Sequence, residues 1–297
     1  MRVAAAPISW GVCEVPGWGR VLPPETVLGE MAALGIAATE LGPPGYLPTC
    51  AKDLAALLEE HGLGLVGGFF ATVLHDPARQ ESTADESDAV AKLIAQAGGE
   101  VLVLAAATGL DGYDERPALS DKAWATLVDT AALIAERAAA TGLRTVLHPH
   151  VGTHVETRAE VERFVHDSDL ALCVDTGHLL IGGTDPVDLV RRHPSRVGHV
   201  HLKDVREDLA DQVREGRLTY TQAVADGIYV PLGAGDVDLA ALLTLLRDND
   251  YDGWYVLEQD AALPTDDTDT DTDDTAAAAI PSRHVRQSLE HLAKLRL

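Results

Sequence analysis

The sequence predicts an α/β fold, a (β/α)8 TIM barrel in a single domain, and three observations predict it. Short apolar, β-branched runs alternate with longer segments of helical period from end to end, the pattern of parallel β-α units. Eight such units fit within 297 residues, which suggests a sheet closed on itself. A doubly wound open sheet usually carries a Gly-rich phosphate turn after its first strand, whereas this chain reads Ser9-Trp10-Gly11-Val12-Cys13 there.

The predicted strands are residues 3–8, 37–41, 64–69, 101–105, 144–148, 171–175, 198–202 and 254–258, each followed by a helical segment. Pro23-Pro24 precedes a helix at 25–33, Thr83 one at 86–97, Ser120 one at 123–140, and Thr184-Asp185-Pro186 one at 187–192; each supplies a capping residue or a proline at the start. Gly62, Gly98-Gly99 and Gly142 mark stops. Two stretches break the rhythm. Residues 204–235 form an insertion with helix-like pieces at 209–217 and 219–228, and a connection that long is often an active-site cover. The Asp/Thr-rich run at 265–275 repels itself and cannot bury a core, so it reads as a disordered loop before a last helix at 285–295. It lacks the Gly turn and bidentate Glu of an EF-hand calcium loop.

Composition narrows the function. With 47 Asp+Glu against 23 Lys+Arg, the net charge is −24, which repels phosphate backbones and anionic lipid and argues against a nucleic-acid or membrane partner. A small, uncharged or metal-chelated substrate fits better. Cys13, Cys50 and Cys173 are odd in number, far apart and free of any Cys-x-x-Cys pair, so neither a disulfide scaffold nor a cysteine zinc site is expected. The N-terminus has no signal-peptide pattern and no apolar run approaches the length of a membrane span, so a cytoplasmic location is expected. A homo-oligomer stays open, because exposed apolar helix positions and dimer contacts look alike in sequence.

In such a barrel the active site lies at the C-terminal ends of the strands, where residues two apart share a face. Polar residues gather there: His148-Pro149-His150 on the fifth strand, Asp175-Thr176-Gly177-His178 on the sixth, His199-Val200-His201-Leu202-Lys203-Asp204 on the seventh and Glu258-Gln259-Asp260 on the eighth. If His148, Asp175, His201 and Glu258 point inward at similar height, two imidazoles and two carboxylates converge in a set suited to Mn²⁺, Co²⁺, Fe²⁺ or Zn²⁺, with Mg²⁺ less favoured by the imidazoles. Taken singly, each could be a hydrogen-bonded structural residue. His150 is placed to bind substrate, move a proton or orient a ligand. Lys203 could stabilise an enolate oxygen or pair with Asp204 or Glu258. His178 and Glu156 could touch substrate hydroxyls or brace loops, and Glu40 needs a partner at the substrate or a neighbouring His. Trp10 and Trp18, among glycines in the first loop, offer aromatic planes to a sugar or cyclitol ring, though Trp10 could instead cap the core.

The motifs Leu147-His148-Pro149-His150-Val151-Gly152-Thr153-His154-Val155-Glu156, Val174-Asp175-Thr176-Gly177-His178, His199-Val200-His201-Leu202-Lys203-Asp204 and Leu257-Glu258-Gln259-Asp260, with Ile8-Ser9-Trp10-Gly11 and Glu40-Leu41-Gly42, resemble the xylose-isomerase-like superfamily of sugar isomerases and epimerases. Within it they resemble the myo-inosose dehydratases. The resemblance implies one divalent metal at the ends of strands five to eight, with Asp175, His201 and Glu258 at three ligand positions. At the fourth, where most epimerases of the superfamily have a glutamate, this chain has His148, as the dehydratase-like branch does. In those epimerases a pair of metal-bound glutamates exchanges protons on opposite substrate faces, so this chain lacks one of the two bases.

The resulting expectation is a metal-dependent lyase that removes water from a keto-cyclitol such as 2-keto-myo-inositol through an enolate. Glu258 or His150 would be the base, and His178, Lys203 or Glu40 the acid. The alternatives are a keto-sugar isomerase or epimerase with the same enolate, a C-glycoside-cleaving deglycosidase, and a non-catalytic sugar-binding barrel. An endonuclease-type activity is disfavoured by the acidic charge.

Overall fold

The computed structural model describes residues 1–265 and 273–295. Eight parallel strands close into a barrel: β1 (Arg2–Ala5), β2 (Ala38–Glu40), β3 (Gly64–Thr72), β4 (Val101–Ala106), β5 (Arg144–Leu147), β6 (Ala171–Asp175), β7 (Val197–Leu202) and β10 (Trp254–Leu257), with β10 pairing both β7 and β1. All eight predicted strands are present, and the barrel is the predicted fold. The strands are apolar because both faces are covered, one by barrel-interior side chains and the other by helices.

The outer layer holds α1 (Pro24–Ala33), α2 (Ala51–Glu60), α3 (Gln80–Gln96), α4 (Asp121–Ala139), α5 (Arg158–Asp167), α6 (Thr176–Ile181), α7 (Pro186–Arg192), α10 (Leu239–Asp248) and α11 (Asp274–Lys294). Pro23 and Pro24 open α1, and Ser120 and Asp185 cap α4 and α7 through their side-chain oxygens, as expected. Two boundaries differ from the sequence reading. Thr83 does not start α3 but sits buried inside it, its hydroxyl donating to the Val73 carbonyl, because the preceding Gln80-Glu81-Ser82 turn is itself helical. The last helix begins at Asp274 rather than 285: the alanines from Ala276 propagate helix strongly enough to run through the buried Pro281. The bulk of the Asp/Thr-rich run, 266–272, lies outside the described residues. Asp273 caps α11 and Asp274 pairs with Arg20 at 2.6 Å.

The long insertion after β7 folds into a two-stranded antiparallel ribbon, β8 (Asp204–Val205) and β9 (Tyr229–Val230), enclosing α8 (Glu207–Arg214) and α9 (Tyr220–Ala225). It has a small core of its own, in which Val205, Leu209, Tyr220 and Tyr229 pack with Val151 from the loop after β5 and Ile181 from α6. Its base is closed by one carboxylate: Asp204 accepts from the backbone N–H groups of Val205, Gly233, Gly235 and Val237 at 2.7–3.1 Å. Asp204 therefore organises this segment and is not the partner of Lys203.

His154, in the loop after β5, packs its ring edge-to-face on His75 with centroids 4.4 Å apart, and its Nε2 has no hydrogen-bond partner. Burial first, then the neighbouring His75 and Arg116, push its pKa down to about 4 from 6.5. An unfolded chain takes up a proton here that the folded chain refuses, so the penalty is absent above pH 6.5 and grows as the pH falls toward 4. With the solvent screening expected this close to the surface, it should be on the order of 1 kcal/mol. Urea denaturation of wild type and His154→Gln at pH 7 and pH 4.5 checks this: the wild type loses more stability than the variant between the two.

Candidate active site

The register of the barrel determines which side chains meet. Asp175 at the end of β6 is the register partner of His201 on β7, which is in turn the partner of Val256 on β10, two residues before Glu258. Because side chains two apart share a face, Asp175, His201 and Glu258 come to the same mouth of the barrel at one height. One ligand atom from each lies within 4.8 Å of the others.

Asp175 divides its two oxygens. Oδ1 caps α6, accepting from the N–H groups of Gly177 and His178 at 2.9 Å each, which leaves Oδ2 turned toward the side chains that line the cavity. Oδ2 lies 3.2 Å from His148 Nε2, 3.5 Å from His201 Nδ1 and 3.3 Å from Lys203 Nζ. His148 stands beside the three-residue cluster through Asp175 and joins separate groupings with Asp175 and His178 and with Cys173 and His201.

Glu40, from β2, reaches across the barrel interior to two imidazoles, His199 Nε2 at 2.8 Å and His201 Nε2 at 3.2 Å. This meets the expectation that a buried Glu40 needs a histidine partner. With Nε2 of His201 donating to Glu40, its Nδ1 points at Glu258 Oε2 (3.2 Å) and Asp175 Oδ2 (3.5 Å) yet forms no hydrogen bond. A neutral imidazole in this tautomer aims a lone pair at two carboxylates, an arrangement that calls for a cation between them or a proton on the ring. Accordingly, although burial opposes it, the nearby Glu258 and Glu40 hold His201 well above the usual histidine range. The orphaned nitrogen and the mixed N/O donor set fit a divalent metal.

Lys203 is buried at the centre of the charge. Its Nζ lies 2.7 Å from Asp260 Oδ1, 3.0 Å from Glu258 Oε2 and 2.9 Å from His178 Nε2. Burial disfavours the ammonium, but Asp175, Asp260 and Glu258 outweigh it and hold the pKa well above the ordinary lysine value. Gly177 permits this packing: a Cβ there would lie 2.7 Å from Lys203 Cβ and 2.8 Å from the Tyr229 ring. His150 is the opposite case. Burial, then His148 and Lys203, push its pKa well below the usual value, so its ring is neutral at pH 7. Nδ1 donates to the Val151 carbonyl at 2.7 Å, which leaves Nε2 with a lone pair on a ring that lines the cavity.

Of the residues singled out from sequence, Glu40, His148, His150, His201, Lys203, Glu258 and Trp18 line one cavity. Asp175 and His178 sit behind its wall, in contact with Lys203. Two do not reach it. Trp10 is fully buried and its Nε1 donates to Ser282 Oγ at 3.0 Å, so the indole seats α11 against the barrel rather than facing the cavity. Glu156 pairs with Arg116 at 3.1 Å and accepts from Gly152 N at 2.7 Å, bracing the loop after β5. Its side chain is held where it satisfies a guanidinium.

Phe69, Tyr113, Tyr220 and Asp260 are among the lining residues to which the sequence assigned no role. Asp260 is two residues past Glu258 on the same face, a signal that strand periodicity contained. Tyr220 belongs to the insertion and Tyr113 to the loop after β4; Tyr113 packs on His150 with centroids 4.6 Å apart, and its hydroxyl donates to Glu14 of the first loop. Nothing in their local sequence marks either tyrosine.

A closed parallel barrel with acids and imidazoles gathered at the C-terminal ends of its strands defines the class of β/α-barrel enzymes. The chain belongs to the xylose isomerase-like TIM barrel family, whose model matches residues 28–295. It is 34% identical over 275 residues to an inosose dehydratase of Geobacillus kaustophilus, covering 88% of this chain and 89% of that protein. It is 35% identical over 267 residues to the rhizopine catabolism protein MocC of Rhizobium meliloti, covering 87% and 81% respectively. A solved D-allulose 3-epimerase from a Methylomonas species shares the fold, with a TM-score of 0.69 at 18% identity over 99% of this chain and 98% of that one. The chain is therefore an enzyme, and the sugar-binding barrel without activity is set aside. Among the described residues no helix is long and apolar enough to cross a membrane.

Replacing Asp175 by Ala removes a candidate ligand atom and the cap of α6 together, whereas His201→Ala removes a candidate ligand atom and one of the two imidazole partners of Glu40. Calorimetric titration with Mn²⁺ should show at least about a hundredfold weaker binding in both variants, and both should melt below the wild type while remaining folded by circular dichroism. Wild-type Mn²⁺ affinity in both would sink the metal assignment.

Proposed function

We propose that this chain is a divalent-metal-dependent lyase that removes water from a keto-cyclitol such as 2-keto-myo-inositol. The observation that carries this reading is the pair of unlike groups at the cavity, a neutral His150 with a free Nε2 and a charged Lys203 ammonium. Both an elimination and a two-base epimerisation need one proton acceptor and one proton donor in each turnover; in the elimination the donor serves the leaving hydroxyl, and a lysine held charged among three carboxylates suits that role better than the interchangeable pair of carboxylates of an epimerase. The names of the curated relatives support the same choice.

Asp175, His201 and Glu258, with His148 alongside, would hold the metal; we take Mn²⁺ or Co²⁺ as the cation, and the mixed nitrogen and oxygen donor set also accommodates Zn²⁺ or Fe²⁺, with Mg²⁺ less favoured by the imidazoles. A cation held there supplies Lewis-acid polarisation of the substrate ketone. His150 Nε2 accepts the proton from the carbon next to the ketone, and the electron pair passes into the enolate. As the enolate collapses, the bond to the β-hydroxyl breaks and Lys203 donates the proton with which that hydroxyl leaves as water. Glu40 is not the acid, because His201 and His199 outweigh its burial and hold it ionised, far below the carboxylate range. His178 accepts from Lys203 and orients it rather than reaching the substrate. Trp18 and Tyr113 offer planes for the apolar face of the ring. The free thiols of Cys13, Cys50 and Cys173 suit the cytoplasm.

A keto-sugar isomerase or epimerase is the second reading, because the same enolate can be reprotonated instead of losing hydroxide. Mass spectrometry of 2-keto-myo-inositol incubated with chelator-stripped protein, with and without Mn²⁺, separates the two. Metal-dependent loss of one water is the expected result, and an unchanged mass with a new chromatographic species would favour epimerisation. Under the same conditions His150→Gln should lower kcat by about a hundredfold or more, the usual contribution of a general base. A wild-type rate would move the base role to Glu258.

A further inference from the structure

Asp260 has no assigned role, yet it is one of the contacts through which the insertion after β7 meets the charged centre of the cavity, another being Tyr229, whose ring lies 5.3 Å from Lys203 Nζ. Its carboxylate is buried and, like Asp175, uses its two oxygens differently. Oδ1 is 2.7 Å from Lys203 Nζ, and Oδ2 accepts from the Tyr220 hydroxyl at 2.8 Å. Tyr220 is the first residue of α9, held there by the Thr219–Gln222 capping box, and its hydroxyl is 3.0 Å from that of Tyr229 on β9. The Tyr229 hydroxyl is in turn 3.4 Å from His178 Nδ1, and the other nitrogen of His178 meets Lys203. A closed circuit of polar contacts thus runs from Lys203 through Asp260, Tyr220, Tyr229 and His178 back to Lys203.

Lys203 has three carboxylates around it, and they are not equivalent. Asp175 and Glu258 belong to the donor set that fits a metal, and a cation there would draw on the oxygens that now face the ammonium. Asp260 is outside that set and makes the shortest of the three contacts. It remains as counter-ion whichever way the other two are spent.

We propose that Asp260 is a positioning residue that holds the Lys203 ammonium at the cavity and couples it to the seating of residues 204–235 as a roof. The roof keeps water from a reactive enolate, and the same carboxylate that latches it aims the proton donor. The kinetic arm of this inference rests on the dehydratase reading above; the structural arm does not.

The test compares Asp260→Asn, Asp260→Glu and Tyr220→Phe in the Mn²⁺-loaded enzyme. Hydrogen exchange of the α9 peptides is read without turnover: both Tyr220→Phe and Asp260→Asn should speed it by about tenfold or more, the effect of losing a hydrogen bond to a charged group. In the kinetics on 2-keto-myo-inositol, Asp260→Asn should lower kcat by about tenfold or more with KM changed far less, and Asp260→Glu should recover part of the loss. Tyr220→Phe keeps the Asp260–Lys203 pair, so its kcat should stay well above that of Asp260→Asn. Unchanged exchange in Tyr220→Phe overturns the latch even if the Asp260 variants fail to fold, and a wild-type kcat in Asp260→Asn overturns the positioning of Lys203. If the wild type itself leaves 2-keto-myo-inositol unchanged, the dehydratase reading falls while the exchange result still decides the latch.

Discussion

The division of labour between the two oxygens of Asp175 is the interaction on which the rest of the mouth depends. Oδ1 is consumed by the first turn of α6, which brings two backbone N–H groups to a carboxylate that the barrel has taken out of water. That capping anchors the side chain and leaves Oδ2 in a fixed direction, toward His148, His201 and Lys203. A carboxylate free to rotate would satisfy some of these contacts at the expense of others. The helix end thus converts a flexible acid into a rigid donor.

Around it the charges are arranged so that none is buried alone. Glu40 is answered by two imidazoles below the site, Glu258 by His201 and Lys203, and Asp260 by Lys203 and a tyrosine hydroxyl. Desolvation on this scale is tolerated only because each partner is within hydrogen-bonding or ion-pairing distance. The same balance gives the site its chemistry. Carboxylates keep Lys203 charged, while burial, then the neighbouring His148 and Lys203, keep His150 neutral, so opposite proton affinities coexist in one cavity.

Much of this was legible in the chain. The eight strands announce themselves through apolar runs buried on both faces, which a doubly wound open sheet would also give; the count of eight units and the absence of a Gly-rich phosphate turn after the first strand point to the closed barrel. His148, Asp175, His201 and Glu258 were recognisable as residues at successive strand ends. Trp10 and Glu156 misled for a common reason: residue type and loop position suggest a surface facing the substrate, but a long-range partner, Ser282 in one case and Arg116 in the other, holds each side chain elsewhere. Tyr113 and Tyr220 were missed for the converse reason. Each lies in an irregular segment whose approach to the cavity is set by contacts distant in sequence, such as Tyr113 with Glu14 and Tyr220 with Asp260.

The sequence by itself determined the strand count, the parallel topology and which polar residues sit at the strand ends, because these follow from periodicity and from residue types that cannot be buried without a partner. Only the tertiary structure decided that Glu40 meets His199 and His201, that Asp260 joins Lys203 to the insertion, and which oxygen of Asp175 and which nitrogen of His150 are left for the site. The first two depend on distances between segments tens to hundreds of residues apart; the last two rest on local contacts whose geometry is set only when the start of α6 and the loop after β5 are held by the surrounding fold.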